Sequence, residues 1–101
     1  MKNIYMYIQD TMADFEHGYL MQALSLQSML GEAKVKLVTV SKGKKSIKTA
    51  GGMTIVPDVN LYDLDTANAA ALVLIGGDTW LDNEQDDVLE VTSKLLQENI
   101  L

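Results

Sequence analysis

Ala69-Ala70-Ala71-Leu72-Val73-Leu74-Ile75-Gly76-Gly77 decides the fold. Its seven apolar residues, closed by two glycines, have the length of a strand and fall short of a helix. A strand that is apolar at every position, not at alternate ones, is buried on both faces. That pattern belongs to parallel sheets covered by helices. Residues 69–75 are therefore expected to form a central parallel strand ended by Gly76-Gly77.

Working outward, the remaining segments agree. Ile4-Tyr5-Met6-Tyr7-Ile8 reads as a first buried strand bounded by Asp10. Asp14 is placed to cap a helix, with Phe15, Glu16 and His17 in its first turn. Tyr19, Leu20, Ala23, Leu24, Leu26 and Leu30 then form a wide apolar stripe, expected to lie on the sheet, and Gly31 stops the helix. Residues 35–40 carry Val35, Leu37, Val38 and Val40 and read as a second buried strand. The lysine-rich stretch 41–48 breaks the pattern. Residues 47–56 then read as a hairpin around Gly51-Gly52, ended by Pro57. Residues 60–65 are expected to be a loop or short helical turn. Asp82 or Asn83 is placed to cap a last helix running to Gln97, with Val88, Val91, Thr92, Leu95 and Leu96 inside and Asn99 ending it. Strands alternating with helices give an α/β fold.

Composition narrows the function. The chain has 101 residues, 48% of them apolar, which suits one globular domain. Fourteen acidic side chains against eight basic ones leave a net charge of −6, with the lysines concentrated before residue 58 and the acids after it. Arginine is absent, and such a surface does not suit nucleic acid, whose phosphates need clustered cations. The N-terminal residues are too few and too polar to span a bilayer and lack a signal-peptide pattern, so a cytoplasmic location without membrane attachment is the default expectation. There is no cysteine, hence no disulfide and no thiol nucleophile within these residues.

Three places could carry chemistry. Glu16 follows the first strand, at the carboxyl edge of the sheet where ligands of open parallel sheets bind. Its ordinary reading is a carboxylate favoured by the helix dipole. Gly76-Gly77 can present backbone N–H groups to an anion, as an oxyanion hole requires, though an ordinary strand-ending turn has the same composition. The acidic run Asp82, Glu84, Asp86, Asp87 and Glu90 does not have calcium-loop spacing and reads as a solvated helix start. His17 is the lone histidine and cannot build a multi-histidine metal site. Trp80 could wall a pocket at the same edge. No phosphate loop or dinucleotide fingerprint occurs, so neither a cofactor nor a metal is expected.

Taken in order, residues 4–10, Ala13-Asp14-Phe15-Glu16, Gly51-Gly52-Met53-Thr54-Ile55-Val56-Pro57-Asp58 and Ala71-Leu72-Val73-Leu74-Ile75-Gly76-Gly77-Asp78 resemble the ThiJ/PfpI family. This is the intracellular protease/amidase-like branch of the class I glutamine amidotransferase fold. The resemblance implies a flavodoxin-like parallel sheet with flanking helices, and a dimer or larger homo-oligomer. It implies cysteine chemistry at a strand-to-helix elbow. Glu16 then takes the place of the glutamate that supports the cysteine, and Gly76 and Gly77 take the places of the oxyanion-hole glycines. Ile75 departs from the family's usual proline. On this reading residues 1–101 are the N-terminal portion of one such domain, truncated before the nucleophile strand. The chain is then inactive alone but part of a hydrolase or amidase, with a missing C-terminal segment or a second copy as its partner. The alternative expectation is a non-enzymatic interaction module that uses the exposed edge of the central strand.

Overall fold

The first strand, β1 (Lys2–Tyr7), lies inside a four-stranded parallel sheet in the computed structural model, which describes residues 2–31, 35–77 and 85–97. It is followed by α1 (Asp14–Met29), β2 (Val35–Ser41), β3 (Ile47–Lys48), β4 (Thr54–Ile55), β5 (Val59–Asn60), β6 (Ala69–Leu74) and α2 (Asp86–Gln97). The sheet order is β5-β2-β1-β6, and β3 and β4 form a separate antiparallel pair.

Register explains the unbroken apolar runs. Tyr5 sits beside Val38 on one side and Leu72 on the other; Met6 sits beside Thr39 and Val73. Successive side chains point to opposite faces. Tyr5, Tyr7, Val38, Val40 and Ala69 enter one core with Leu61 and with Val88 of α2. Met6, Ile8, Met12 and Ile75 enter the other with Ile47 of the hairpin and Leu20 of α1. Each strand thus feeds two cores, which calls for apolar residues on both faces.

The hairpin forms as expected, with Ile47 opposite Ile55 and Lys48 opposite Thr54. Gly52, at φ +95°, closes its turn in a conformation that suits glycine. Gly31, at φ +75°, follows α1 in the same way.

β6 stands at the end of the sheet order among the described residues and pairs there with β1 alone, so its other edge is open as expected. Three expectations need correction. Asn60, expected to open a loop or helical turn, ends the two-residue strand Val59–Asn60 parallel to β2, and the helical turn follows at Leu61–Asp63. Asp58 places that strand: its carboxylate accepts from the N–H and hydroxyl of Thr39. In α2, Val88 and Leu95 are buried, but Leu96 is exposed because it falls off their face. Only part of the stripe on α1 lies on the sheet. Leu20 packs inward, whereas Phe15, Tyr19, Leu26 and Leu30 face away. The expected caps Asp82 and Asn83, the terminator Asn99 and the pocket wall Trp80 lie outside the described residues.

Candidate functional site

The site lies at the carboxyl ends of β1 and β6. From β1 the chain proceeds through α1 to β2 on one side, while β6 flanks β1 on the other. Such a divergence opens a crevice above the strand ends.

Two loops meet there. In the first, residues 8–13 connect β1 to α1. Asp10 Oδ1 accepts the Lys48 N–H at 3.0 Å, Thr11 N–H donates to Lys48 O at 2.8 Å, and Ala50 N–H donates to Met12 O at 2.9 Å. Thr11 takes a positive φ of 67°, unusual for a β-branched residue, within this tied loop. Asp14, at the start of α1, accepts the Gly51 N–H on Oδ2 at 2.7 Å. Its carboxylate clips the hairpin turn to the start of α1.

In the second loop, residues 75–77 follow β6. Gln9, only 4% exposed, donates from Nε2 to Ile75 O at 3.1 Å. Ala13 N–H donates to Gly76 O at 2.8 Å. Gly76 N–H donates to Glu16 Oε1 at 3.2 Å. Glu16 is therefore more than a dipole-favoured carboxylate; it reaches across to the glycine turn.

Both glycines fit tightly. A Cβ on Gly76 would stand 2.8 Å from Glu16 Oε2, and one on Gly77 would stand 3.3 Å from both Gln9 Nε2 and Met12 Cα. The closeness of Glu16 and Gln9 accounts for glycine at both positions. No described residue accepts a hydrogen bond from the Gly77 N–H. Glu16, Gly76 and Gly77 are thus brought together. The side chain of His17 and the whole of Asp78, Thr79 and Trp80 lie outside the described residues.

Sequence reasoning missed Gln9. A buried amide immediately after an apolar strand was the available signal, since such a group needs a partner. It also missed a cavity of about 310 Å³ beside the site, above β1 and β2, lined by Gln9, Asp10, Ser41, Lys42, Lys45 and Gln85 among others. Across the sheet end, Tyr62 donates to Asp87 Oδ2 at 2.7 Å and Lys42 Nζ lies 3.0 Å from the same oxygen. The Tyr62 hydroxyl, then Lys42, hold the Asp87 carboxyl below its ordinary pKa, and the bond to Asp87 raises that of Tyr62. Among the described residues no cluster of three histidine, cysteine or acidic groups could hold a metal ion. No described helix is long and apolar enough to cross a membrane.

Comparison with known proteins shows the family. The sequence model described as DJ-1/PfpI family matches residues 2–101. The Bacillus subtilis protein described as an uncharacterized protease, YoaZ, is 32% identical over 98 residues, covering 95% of this chain and 47% of its own. A DJ-1 superfamily protein of Agrobacterium tumefaciens superposes with a TM-score of 0.81 at 26% identity, over 100% of this chain and 51% of that one. A ThiJ/PfpI family protein of Bacillus anthracis superposes with a TM-score of 0.76 at 31% identity, over 95% and 46%. The chain spans about half the length of these relatives.

Proposed function

The chain belongs to the DJ-1/PfpI family, and on that premise we propose that it is the N-terminal half of a protease- or amidase-like hydrolase domain. The Glu16 carboxylate on the Gly76 N–H, at the sheet's divergence, carries this reading. It puts an acidic group and a backbone donor side by side where strand-to-helix loops converge.

The chemistry is attack of a thiolate on a substrate carbonyl. These 101 residues hold no cysteine, so the thiol comes from outside them. Glu16 supports and orients that thiol. The glycine turn stabilises the negative charge that develops on the carbonyl oxygen. Gly77 offers its N–H directly. Gly76 does so as Glu16 turns toward the thiol and releases it. Gln9, through Ile75, and Ala13, through Gly76, hold the turn in place. A strand delivering the cysteine would pair with the outer edge of β6, whose described neighbour is β1 alone. The chain by itself is inactive.

The test is the reading frame beyond the codon for Leu101, followed by expression of the whole frame and an assay with peptide and small-amide substrates. A cysteine within about ten residues, one strand length and a turn on, with activity lost in Glu16→Ala, supports the reading. A stop codon directly after Leu101 would overturn it and favour an interaction module built on the free edge of β6.

A further inference from the structure

The cavity of about 310 Å³ above β1 and β2 is at the small end of the range for ligand pockets, so it suits a small molecule. It lies on the β2 side of β1, away from the open edge of β6. The thiolate chemistry takes only Gln9 from its walls.

Those walls divide by burial. Ile8 and Ile47, 1 and 6% exposed, give the cavity an apolar floor. Asp10, Lys42 and Lys45 are exposed and stand at its mouth, which therefore carries both signs of charge.

The charges at the mouth are held in place and are not spent on each other. Asp10 Oδ1 accepts the Lys48 N–H at 3.0 Å, and its second oxygen accepts from no described residue. Lys45 ends a closed turn. Ser41, 2% exposed, donates its hydroxyl to Lys45 O at 2.7 Å, and the Gly43 N–H between them donates to Asn60 Oδ1 at 3.2 Å. Lys42 is taken by Asp87, 3.0 Å away. Among the described residues, Lys45 has no carboxylate and Asp10 no ammonium within salt-bridge distance.

Opposite charges that share a mouth without meeting leave space for a ligand between them. An anion there would face Asp10, and a cation would face Lys45; juxtaposed like charges cost affinity. A molecule with both charges satisfies both residues, and a short aliphatic part fits the floor. Holding the two side chains on tied backbone lowers the entropy lost on binding.

We propose that this cavity binds a small zwitterion, a free α-amino acid with a short side chain. Its carboxylate meets Lys45, its ammonium meets Asp10, and its side chain lies over Ile8 and Ile47. The proposal is independent of the hydrolase reading, since no thiol and neither glycine of the turn takes part.

Nuclear magnetic resonance titration of the isotope-labelled protein, expressed from its whole reading frame, tests it with three matched probes. L-Alanine carries both charges, propionate only the carboxylate and ethylammonium only the ammonium. Alanine is expected to bind in the millimolar range, as suits so small a molecule, and to shift the side-chain amide signals of Gln9 and Gln85. Each singly charged probe should bind at least about tenfold more weakly. Lys45→Gln should weaken alanine about tenfold and leave ethylammonium unchanged. Asp10→Asn should weaken alanine about tenfold and leave propionate unchanged. Both positions are exposed, and an asparagine there keeps the oxygen that accepts the Lys48 N–H, so backbone signals elsewhere should not move. Glu16→Ala should abolish hydrolysis without changing alanine binding, which separates this site from the glycine turn. No shift at tens of millimolar alanine, equal binding of alanine and either singly charged probe, alanine binding indifferent to either charge substitution, or alanine binding lost in Glu16→Ala would each overturn the proposal.

Discussion

Glu16 Oε1 accepts the backbone N–H of Gly76 at 3.2 Å, joining the first turn of α1 to the loop after β6 across 60 residues of sequence. The same closeness puts Glu16 Oε2 only 2.8 Å from where a Cβ on residue 76 would sit. The two residues are coupled sterically as well as by hydrogen bonding. Glu16→Ala removes a charge-assisted bond at an exposed site and should cost about 1 kcal/mol. Gly76→Ala should cost a similar amount by pushing the flexible carboxylate aside. In a Glu16→Ala background the three atoms nearest the added methyl are gone, and it should cost little. A double-mutant cycle by thermal unfolding is therefore expected to be strongly non-additive. Additive losses would mean the contact does not hold the loop.

Gly77 and Gly18 should respond in opposite directions. A Cβ on Gly77 meets the Met12 backbone at 3.3 Å, which cannot rotate away, and the buried Gln9 amide at 3.3 Å. Gly77→Ala should destabilise by roughly 1–3 kcal/mol, as overpacking does. Gly18 lies inside α1, and a Cβ there meets nothing within 4 Å. Gly18→Ala should stabilise by about 1 kcal/mol through helix propensity. Denaturant midpoints of the two variants check both signs.

Much of this was legible in the residues. The strands at 4–8, 35–40 and 69–75 announced themselves because each feeds two cores and so carries apolar residues on both faces, with Lys36 and Thr39 as polar interruptions of the second. The hairpin was legible from Gly51-Gly52 between β-rich flanks. The outward stripe of α1 was not, because periodicity reports that apolar residues share a face and not which way the face points. Leu20 and Tyr19 are neighbours in sequence, yet Leu20 packs on the sheet and Tyr19 faces out. β5 was missed because two residues carry no period; Asp58, bonding to Thr39, sets it beside β2. At the site, residue types and order placed Glu16, Gly76 and Gly77 at one edge. The contact between them, and the support from Gln9, depend on loop geometry that no spacing encodes.

Asp87 should give stability an acid limb. Its folded-state pKa is lowered, first by the Tyr62 hydroxyl and then by Lys42. The stabilisation is therefore present above the unfolded carboxylate value of about 4 and is lost as pH falls through the lower folded value. Tyr62 is shifted the other way by its bond to Asp87, so its share is present below the ordinary tyrosine range and is lost only as pH rises through its raised value. Both groups are solvated, so the effect is small. Asp87→Asn should lower the thermal midpoint slightly at pH 7, with the difference from wild type closing as pH falls through the lowered value of Asp87. A difference that persists unchanged into acid would show that the charge is not its source.

Tyr7 should matter through its hydroxyl as well as its ring. It is 3% exposed at the end of β1, and it donates to Gln85 Oε1 at 2.9 Å, just ahead of α2. Gln85 is itself only 4% exposed. Val88, one turn on, enters the same core as Tyr7, so the bond sets where α2 begins against the sheet. Tyr7→Phe keeps the ring and takes the donor from a buried amide, which should cost about 1–3 kcal/mol. Gln85→Leu removes the acceptor and leaves the hydroxyl buried, with a comparable cost. Together the two substitutions place apolar groups on both sides and should cost clearly less than the sum of the single losses. Urea unfolding reads this as midpoint shifts at constant slope. A double variant as unstable as the summed singles would mean that each residue is held by other partners and that this bond does not anchor α2.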